Sequence, residues 1–215
     1  GNGPVGYAAY QTYFAVPESG ATGELRGLWY SFTAGSVRVI SLSNDDVCFQ
    51  DGGNSYVHGY SGGEQKRWLA SELAAARHDP DVDWVVVCMH QTAISTADHT
   101  NGADLGIREQ WLPLFDQYGV DLVVCGHEHH YERSHPVRGT LGTDTRTPKP
   151  VETGDGVIDA TKGTVHVVIG GGGTSLPSNG MFFPDRRCRV VMGVGPFDPA
   201  IGRKALRASR MQDGV

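Results

Sequence analysis

Two apolar strands that each end in histidine constrain this chain more than any other feature of its sequence. The first run, Val82 to Met89, is rich in β-branched residues and is followed directly by His90. The second run, Val120 to Cys125, is followed by Gly126-His127-Glu128-His129. Such nearly continuous apolar runs are typical of strands covered on both faces of a sheet. Because the carboxyl edge of an open α/β sheet is where ligands bind, we expect these histidines to converge there.

The segments beside these strands predict helices, so the chain is expected to have an α/β fold. Ser61-Gly62-Gly63-Glu64 has the form of a capping box, with serine as the helix cap. The helix that follows ends near His78, and its apolar side is formed by Trp68, Leu69, Leu73 and Ala76. A second helix is predicted from Leu105 to Tyr118, with a kink or restart at Pro113 and a stop at Gly119. This strand, helix, strand order predicts parallel pairing of the two histidine-bearing strands.

Further strands are predicted on either side of this unit. Leu28 to Phe32 and Val37 to Leu42 read as a hairpin, and Thr164 to Ile169 reads as a third apolar strand of the sheet. The glycines that follow it lack the spacing of a phosphate-binding loop, so we expect a tight turn beside the site. The remaining assignments are a short amphipathic helix in 7–14, a loop in 43–60 whose aspartates lie in solvated turns, a polar loop in 139–162 and an edge strand in 188–193.

Composition narrows the class of protein. The 215 residues are enough for one domain, and the net charge of -6 argues against a general binder of nucleic acid or of acidic membranes. No apolar run is long enough to span a bilayer. Of the four cysteines, Cys88 and Cys125 end apolar strands and are expected to be buried thiols. Cys48 and Cys188 could pair in an oxidising compartment, although sequence alone does not fix connectivity.

The histidines favour a metal site. His127 and His129 are two residues apart, so on an extended segment they project to the same side. Imidazole is a good ligand for zinc, iron and related ions. A hydrolase with two metal ions also needs acidic ligands, and no Gly-Asp pattern follows an apolar strand before His90. The predicted site is therefore rich in histidine and short of carboxylates.

Taken together, these residues resemble the purple acid phosphatase branch of the calcineurin-like metallophosphoesterases. The octet Gly126-His127-Glu128-His129-His130-Tyr131-Glu132-Arg133 matches the family's Gly-His-x-His-x-Tyr-Glu-Arg signature, and Cys88-Met89-His90 matches its strand-end histidine. The segments 28–32, 60–73 and 164–171 are also similar to the family. The resemblance covers roughly residues 5–200 and implies an αββα sandwich that hydrolyses phosphomonoesters with a dinuclear metal centre.

The resemblance also implies roles for individual residues. His90 and His127 resemble ligands of the divalent metal, which is zinc, manganese or iron in this family. His129 resembles a ligand of the other metal, typically iron. His99 resembles a histidine that contacts phosphate and protonates the leaving group. Tyr131 to Arg133 are expected to support the loop, whereas His58, His135 and His166 have no motif support and are expected to be surface or hydrogen-bonded histidines.

The chain departs from the family before His90. The Gly-Asp, Gly-Asp-x-x-Tyr and Gly-Asn-His motifs, which supply the acidic ligands, the tyrosine and the asparagine, are not found there. We therefore expect an incomplete sandwich, with a partial catalytic domain in 1–200 and an irregular tail in 201–215. The expected properties are weak metal binding, little phosphatase activity, and association with a complementary segment or with itself. Two alternatives stay open, a non-catalytic fragment and a mononuclear zinc hydrolase. The family resemblance suggests a secreted or cell-envelope location.

Overall fold

A mixed six-stranded sheet forms the centre of the structure, a computed structural model that describes residues 4–49, 58–95, 103–129, 131–139, 148–153 and 157–171. The strand order is β1-β2-β3-β4-β8-β5, and a separate two-stranded sheet pairs β6 with β7. The strands are β1 (Tyr30–Ala34), β2 (Val37–Ser41), β3 (Trp84–Met89), β4 (Leu122–Cys125), β5 (Tyr131–Arg133), β6 (Val137–Arg138), β7 (Lys149–Pro150) and β8 (Val165–Ile169).

The pairing of the strands follows the sequence prediction in its main part. The β1–β2 hairpin is antiparallel, and β2, β3, β4 and β8 are parallel neighbours. β5 returns antiparallel to β8, a pairing that the sequence analysis did not predict. The four parallel strands therefore present their carboxyl ends at one edge of the sheet, which includes the ends of both histidine-bearing strands.

The helices agree with the predicted segments, except at one cap. They are α1 (Pro4–Tyr13), α2 (Glu64–His78), α3 (Leu105–Gln110) and α4 (Leu112–Tyr118), with 3-10 turns at Gly23–Leu25 and Asn44–Asp46. The capping-box prediction for α2 is wrong, because Gly63 is its N-cap in a left-handed conformation. Ser61 has a different partner, since its hydroxyl donates to Asp46 Oδ2 at 2.6 Å. As predicted, His78 is exposed in the last turn of α2.

The second helical segment breaks where proline predicts it. Trp111 separates α3 from α4, and Pro113 lies in the first turn of α4, where its missing N–H costs nothing. Gly119 ends α4 with φ of 61°, in the left-handed region that favours glycine. The start of α3 has a cap that the sequence analysis missed, because the Asp104 carboxylate accepts from Ile107 N at 3.1 Å.

One face of the sheet carries the core. Val85, Val87 and Val123 are fully buried there, together with Leu69 and Leu73 of α2, and the helices α3 and α4 add Ile107, Trp111 and Phe115. The opposite face is less covered, so the prediction of burial on both faces is wrong for the described residues. Trp84, Val86 and Leu122 are only half-buried on that side. They line an open apolar cavity of about 480 Å³.

The prediction of buried thiols is confirmed for Cys125 and holds only in part for Cys88. Cys125 is buried, Cys88 is half-buried, and both are free thiols. Burial raises the pKa of Cys125 to about 12. Cys48 is buried as well, whereas Cys188, the predicted edge strand 188–193 and the tail 201–215 lie outside the described residues. Within the described part of the chain, no helix is long and apolar enough to cross a membrane.

The two faces of β3 give a direct test of this packing. We expect Val87→Ala to lower the free energy of unfolding by about 2–3 kcal/mol, because it removes two buried methyl groups and leaves a cavity. Its neighbour Val86 points to the less covered face, so Val86→Ala is expected to cost about 1 kcal/mol or less. Urea unfolding of the two variants measures the difference, and equal losses would contradict the one-sided core.

Candidate metal site at the carboxyl edge of the sheet

The register of β3 and β4 brings the two histidine-bearing strand ends side by side. Met89 is paired with Cys125 in the last step of the parallel ladder. The backbone pairing continues one residue further, since Gly126 N donates to His90 O at 2.9 Å. His90 is therefore level with Gly126, and His127 follows one residue later at the same edge of the sheet, as the sequence predicts for histidines at neighbouring strand ends.

Their side chains meet. His127 Nδ1 lies 3.2 Å from His90 Nε2, and the two rings contact edge to face with centroids 5.1 Å apart. One of the nitrogens can donate a hydrogen bond to the other when one of them carries a proton. When neither does, both present lone pairs to the same point. Two imidazole nitrogens at about 2.05 Å from one tetrahedral ion are about 3.3 Å apart, so the observed separation fits two ligands of a single zinc-type cation.

The backbone of His127 is strained in a way that serves this contact. Among the described residues it is the only non-glycine residue with positive φ, at 65°. Such a conformation is uncommon for a residue with a Cβ and persists only where the surrounding structure enforces it. The residue in this conformation is the one whose ring contacts His90.

The protonation state of the pair also suits metal binding. Burial and the neighbouring His127 lower the pKa of His90, even though part of its ring is open to solvent. Burial lowers the pKa of His127 as well, and the Glu128 carboxylate partly opposes this shift. Both rings are therefore held neutral at neutral pH, which is the form in which imidazole binds metals.

The glycines at this edge differ in how much space they provide for the loop. A Cβ on Gly126 would make only an ordinary contact with His90 Nδ1, at 3.5 Å. A Cβ on Gly170, directly after β8, would lie 2.0 Å from the Glu128 carbonyl oxygen. The predicted tight turn after β8 thus packs its backbone against the histidine loop, and a side chain at Gly170 would displace that loop. Residues 172–175 of the glycine-rich run lie outside the described residues.

The other predicted site residues are placed less completely. His129 is half-buried and its charge acts on His127, so it belongs to the same neighbourhood. His99 and His130 lie outside the described residues. In the part of the chain that the structure describes, no group of three or more metal-binding side chains is assembled. The pair of His90 and His127 is therefore the centre of the candidate site.

Two buried carboxylates lie in the histidine loop and on the strand that follows it, and only Glu132 belongs to the segment expected to support the loop. Glu128 fills the variable position of the signature and is 1% exposed. Glu132, on β5, is also buried and accepts from Ser95 Oγ at 2.8 Å. This contact and the pairing of β5 with β8 agree with the prediction that Tyr131 to Arg133 support the loop. Glu128 has no such motif support, and only its burial, which sequence patterns do not report, points to it.

The prediction of solvated aspartates in 43–60 is wrong for Asp46. Its side chain is 4% exposed and accepts three hydrogen bonds, from Ser61 N, Ser61 Oγ and Gln65 Nε2, at 3.0, 2.6 and 3.1 Å. Asp45 beside it is only half-buried. Both residues follow β2, so they lie at the same edge of the sheet as His90.

His166 differs from its prediction as a surface or hydrogen-bonded histidine. It lies on β8, on the face that packs against the helices, and is 4% exposed. Its Nδ1 atom is buried and has no hydrogen-bond partner among the residues that the structure describes. Burial lowers the pKa of His166 to about 3. By contrast, His58 is exposed, with Nδ1 3.1 Å from the Cys48 carbonyl oxygen, as predicted for a surface histidine.

Comparison with known proteins assigns the class that the fold and the histidine pair indicate. The sequence profile of the Calcineurin-like phosphoesterase family matches residues 13–131, more than half of the chain. The chain therefore belongs to the calcineurin-like phosphoesterase family. The matched region contains β3, β4 and both histidines of the pair.

Relatives in this family include acid phosphatases. The chain is 78% identical over 204 residues to the Mycobacterium tuberculosis protein "Uncharacterized protein Rv2577", covering 95% of this chain and 39% of that protein. It is 28% identical to human "Acid phosphatase type 7", covering 78% of this chain and 37% of that protein. The structure of the purple acid phosphatase PPD1 from yellow lupin seeds matches with a TM-score of 0.57 and 25% identity, covering 79% of this chain and 26% of that one.

These matches confirm the resemblance to purple acid phosphatases and the metallophosphoesterase fold. The chain spans about two-fifths of the length of the first curated relatives it matches.

Because the backbone of His127 is strained, we expect a replacement that removes this site residue to stabilise the fold. We expect His127→Asn to raise the free energy of unfolding of the metal-free chain by about 0.5–1 kcal/mol, because asparagine tolerates positive φ better. His90→Asn is the matched control, since it removes the same ring contact without relieving the backbone. Urea unfolding in the presence of a chelator compares the two variants. A loss of stability in His127→Asn equal to that in His90→Asn would contradict the strain.

Buried His166 predicts acid sensitivity. The imidazole is neutral in the folded chain down to about pH 3, whereas in the unfolded chain it binds a proton below about pH 6.5. Its contribution to stability is therefore complete above about pH 6.5 and is lost as the pH falls towards 3, by about 2 kcal/mol at about pH 5. We expect His166→Gln to flatten this part of the unfolding profile. The exposed-histidine variant His78→Gln is the control, and an unchanged acid slope in His166→Gln would refute the assignment.

Proposed function

We propose that this chain supplies the histidine ligands of the metal centre of a phosphoester hydrolase of the acid phosphatase type, acting on phosphomonoesters. The observation that carries the proposal is the 3.2 Å separation of His90 Nε2 and His127 Nδ1 at the carboxyl edge of the sheet. Membership of the calcineurin-like phosphoesterase family and the acid phosphatases among its relatives support the reaction class.

In this proposal the histidines divide between two metal ions. His90 and His127 hold one ion, which is zinc, manganese or iron, and His129 belongs to the other, which is iron. Bound ions of this kind supply Lewis acidity for phosphoester hydrolysis. The chain's own part is to keep His90 and His127 neutral through partial desolvation, and to hold them in place through the pairing of Gly126 with His90.

His99 is the proposed proton donor to the leaving group. It follows His90 by nine residues and precedes α3 in the sequence. A histidine suits this task because its ordinary pKa allows it to hold and release a proton near neutral pH. His99 lies outside the described residues, so the assignment depends on sequence position alone.

The described residues predict a weak site. Only two imidazole nitrogens converge, whereas a stable zinc site has four ligands and a catalytic one has three from the protein. We therefore expect weak metal binding and low phosphatase activity from this chain alone. A partial catalytic domain over 1–200, an irregular tail over 201–215, association with a complementary segment or with itself, and a secreted or cell-envelope location stay predictions.

Metal titration with matched variants tests the proposal. We expect the unaltered chain to bind Zn²⁺ in isothermal titration calorimetry. His90→Asn and His127→Asn are each expected to weaken binding by more than about tenfold, or about 1.4 kcal/mol, because each removes one of two converging ligands. His78→Asn, at an exposed position at the end of α2, is the control and should bind like the unaltered chain. Loss of binding in the control alone, or equal binding in all variants, would contradict the site.

Assays with the chain loaded with metal test the reaction class. We expect slow hydrolysis of p-nitrophenyl phosphate that a chelator abolishes and that His127→Asn lacks. Replacement His99→Asn is expected to lower kcat with little change in the affinity for Zn²⁺, because its proposed role is proton transfer. One bound ion with turnover of a carboxylic ester but not of the phosphomonoester would instead favour a mononuclear zinc hydrolase. Absence of any metal binding would favour a non-catalytic chain.

A further inference from the structure

The turn after β2 is fastened to the same strand end that carries His90. The backbone of Leu42 donates to Cys88 O at 2.9 Å, which extends the pairing of β2 with β3 beyond Ser41. Two residues later, Asn44 Nδ2 donates to Gln91 O at 2.9 Å, and Gln91 directly follows His90. Asn44 is 2% exposed, so this hydrogen bond is shielded from water. The 3-10 turn Asn44–Asp46 is therefore held beside the candidate metal site.

A buried polar network fixes the turn from its other side. Gln65, which is fully buried on α2, accepts from Ser43 N at 2.9 Å and donates to Ser43 O at 3.0 Å. The carboxylate of Asp46 accepts from Gln65 and twice from Ser61, as described above. Because the three bonds to Asp46 are buried, the turn cannot rotate without leaving buried polar groups unsatisfied.

Asp45 lies between these two anchors and differs from both neighbours. Asn44 and Asp46 are buried, and their side chains form the hydrogen bonds that hold the turn, whereas Asp45 is only half-buried. Its carboxylate has no hydrogen bond or ion pair with another residue in the described ranges. Its negative charge opposes the lowering of the pKa of His90 and of His127. The anchored turn thus places Asp45, whose carboxylate has no hydrogen bond or ion pair in the described ranges, at the sheet edge that carries the histidine pair.

We propose that Asp45 is an acidic residue of the metal site, whose carboxylate stabilises the cation held by His90 and His127. The proposal rests on the proposed function, because it requires that the histidine pair binds a cation. Its chemistry follows from charge: two neutral imidazoles compensate none of the cation's charge, and carboxylate oxygen is a suitable partner for zinc, manganese and iron. Asp45 supplies the negative charge that the sequence analysis found lacking.

A charge-neutral replacement with a matched control tests this role. Asp45→Asn is expected to weaken Zn²⁺ binding to the full 215-residue chain by about tenfold, and Asp45→Glu should recover part of the affinity. Asp81→Asn removes the same charge from an exposed position before β3. That position is at the opposite end of a six-residue strand, roughly 20 Å away, where salt screens its effect on the site. Asp81→Asn should therefore bind Zn²⁺ like the unaltered chain.

Two further measurements separate a metal-site role from a structural one. The thermal midpoint of metal-free Asp45→Asn should match that of the unaltered chain, since no described contact is lost. The visible absorption spectrum of the Co²⁺-loaded chain should change in Asp45→Asn, because the surroundings of the ion change, and should stay unchanged in Asp81→Asn.

The outcomes distinguish this inference from the proposed function. Zn²⁺ binding that depends on His90 and His127 but is the same in Asp45→Asn, with an unchanged Co²⁺ spectrum, would overturn the role of Asp45 and leave the histidine site intact. A similar loss of Zn²⁺ affinity in Asp81→Asn would show that the loss in Asp45→Asn reflects net charge alone, and would also overturn the role of Asp45. Absence of Zn²⁺ binding by the unaltered chain would overturn the proposed function, and the role of Asp45 with it.

Discussion

The register of the parallel pair β3 and β4 is the constraint on which the candidate site depends. The register pairs His90 with Gly126 and places His127 one residue beyond the ladder, so a slip of one residue would separate the two rings and turn every side chain of the shifted strand to the other face. The buried residues Val85, Val87 and Val123 oppose such a slip, because it would turn them away from α2, α3 and α4. Hydrophobic packing on one face of the sheet thus fixes the relative positions of the two histidines at its edge.

The site concentrates unfavourable local features that the surrounding fold has to offset. His127 has positive φ, both rings of the pair are kept neutral by desolvation, and Glu128 is buried within the same loop. Gly170 allows the turn after β8 to pack directly on this loop. Strain and desolvation at a few residues, supported by rigid strands, are typical of functional sites and uncommon elsewhere in a domain. This distribution argues that the loop is built for its geometry and not for stability.

Sequence patterns were sufficient for the parallel core of the fold. The apolar runs of β3, β4 and β8 and the break at Pro113 predicted the strands and helices because each depends on local composition. The wrong or missing predictions concern residues whose structure depends on contacts with distant parts of the chain. Ser61 has the right spacing for a helix cap, yet its hydroxyl is drawn to Asp46 from another part of the chain. The short strand β5 carries charged residues and forms because β8 offers it an edge, which composition does not reveal.

The same contrast applies within the site. His90 and His127 were predictable because a glycine and a strand end mark their positions, whereas Asp45 and Asp46 are chemically identical neighbours in a polar loop. Their different environments arise from distant residues: Gln65 and Ser61 bury Asp46, and the bond from Asn44 to Gln91 brings Asp45 to the edge of the sheet. Successive side chains of a tight turn point in different directions, so Asp46 makes the hydrogen bonds that hold the turn and Asp45 makes none of them. An uncommitted charge on an immobile turn is what a cation site requires, because no ordering entropy is lost when the ion binds.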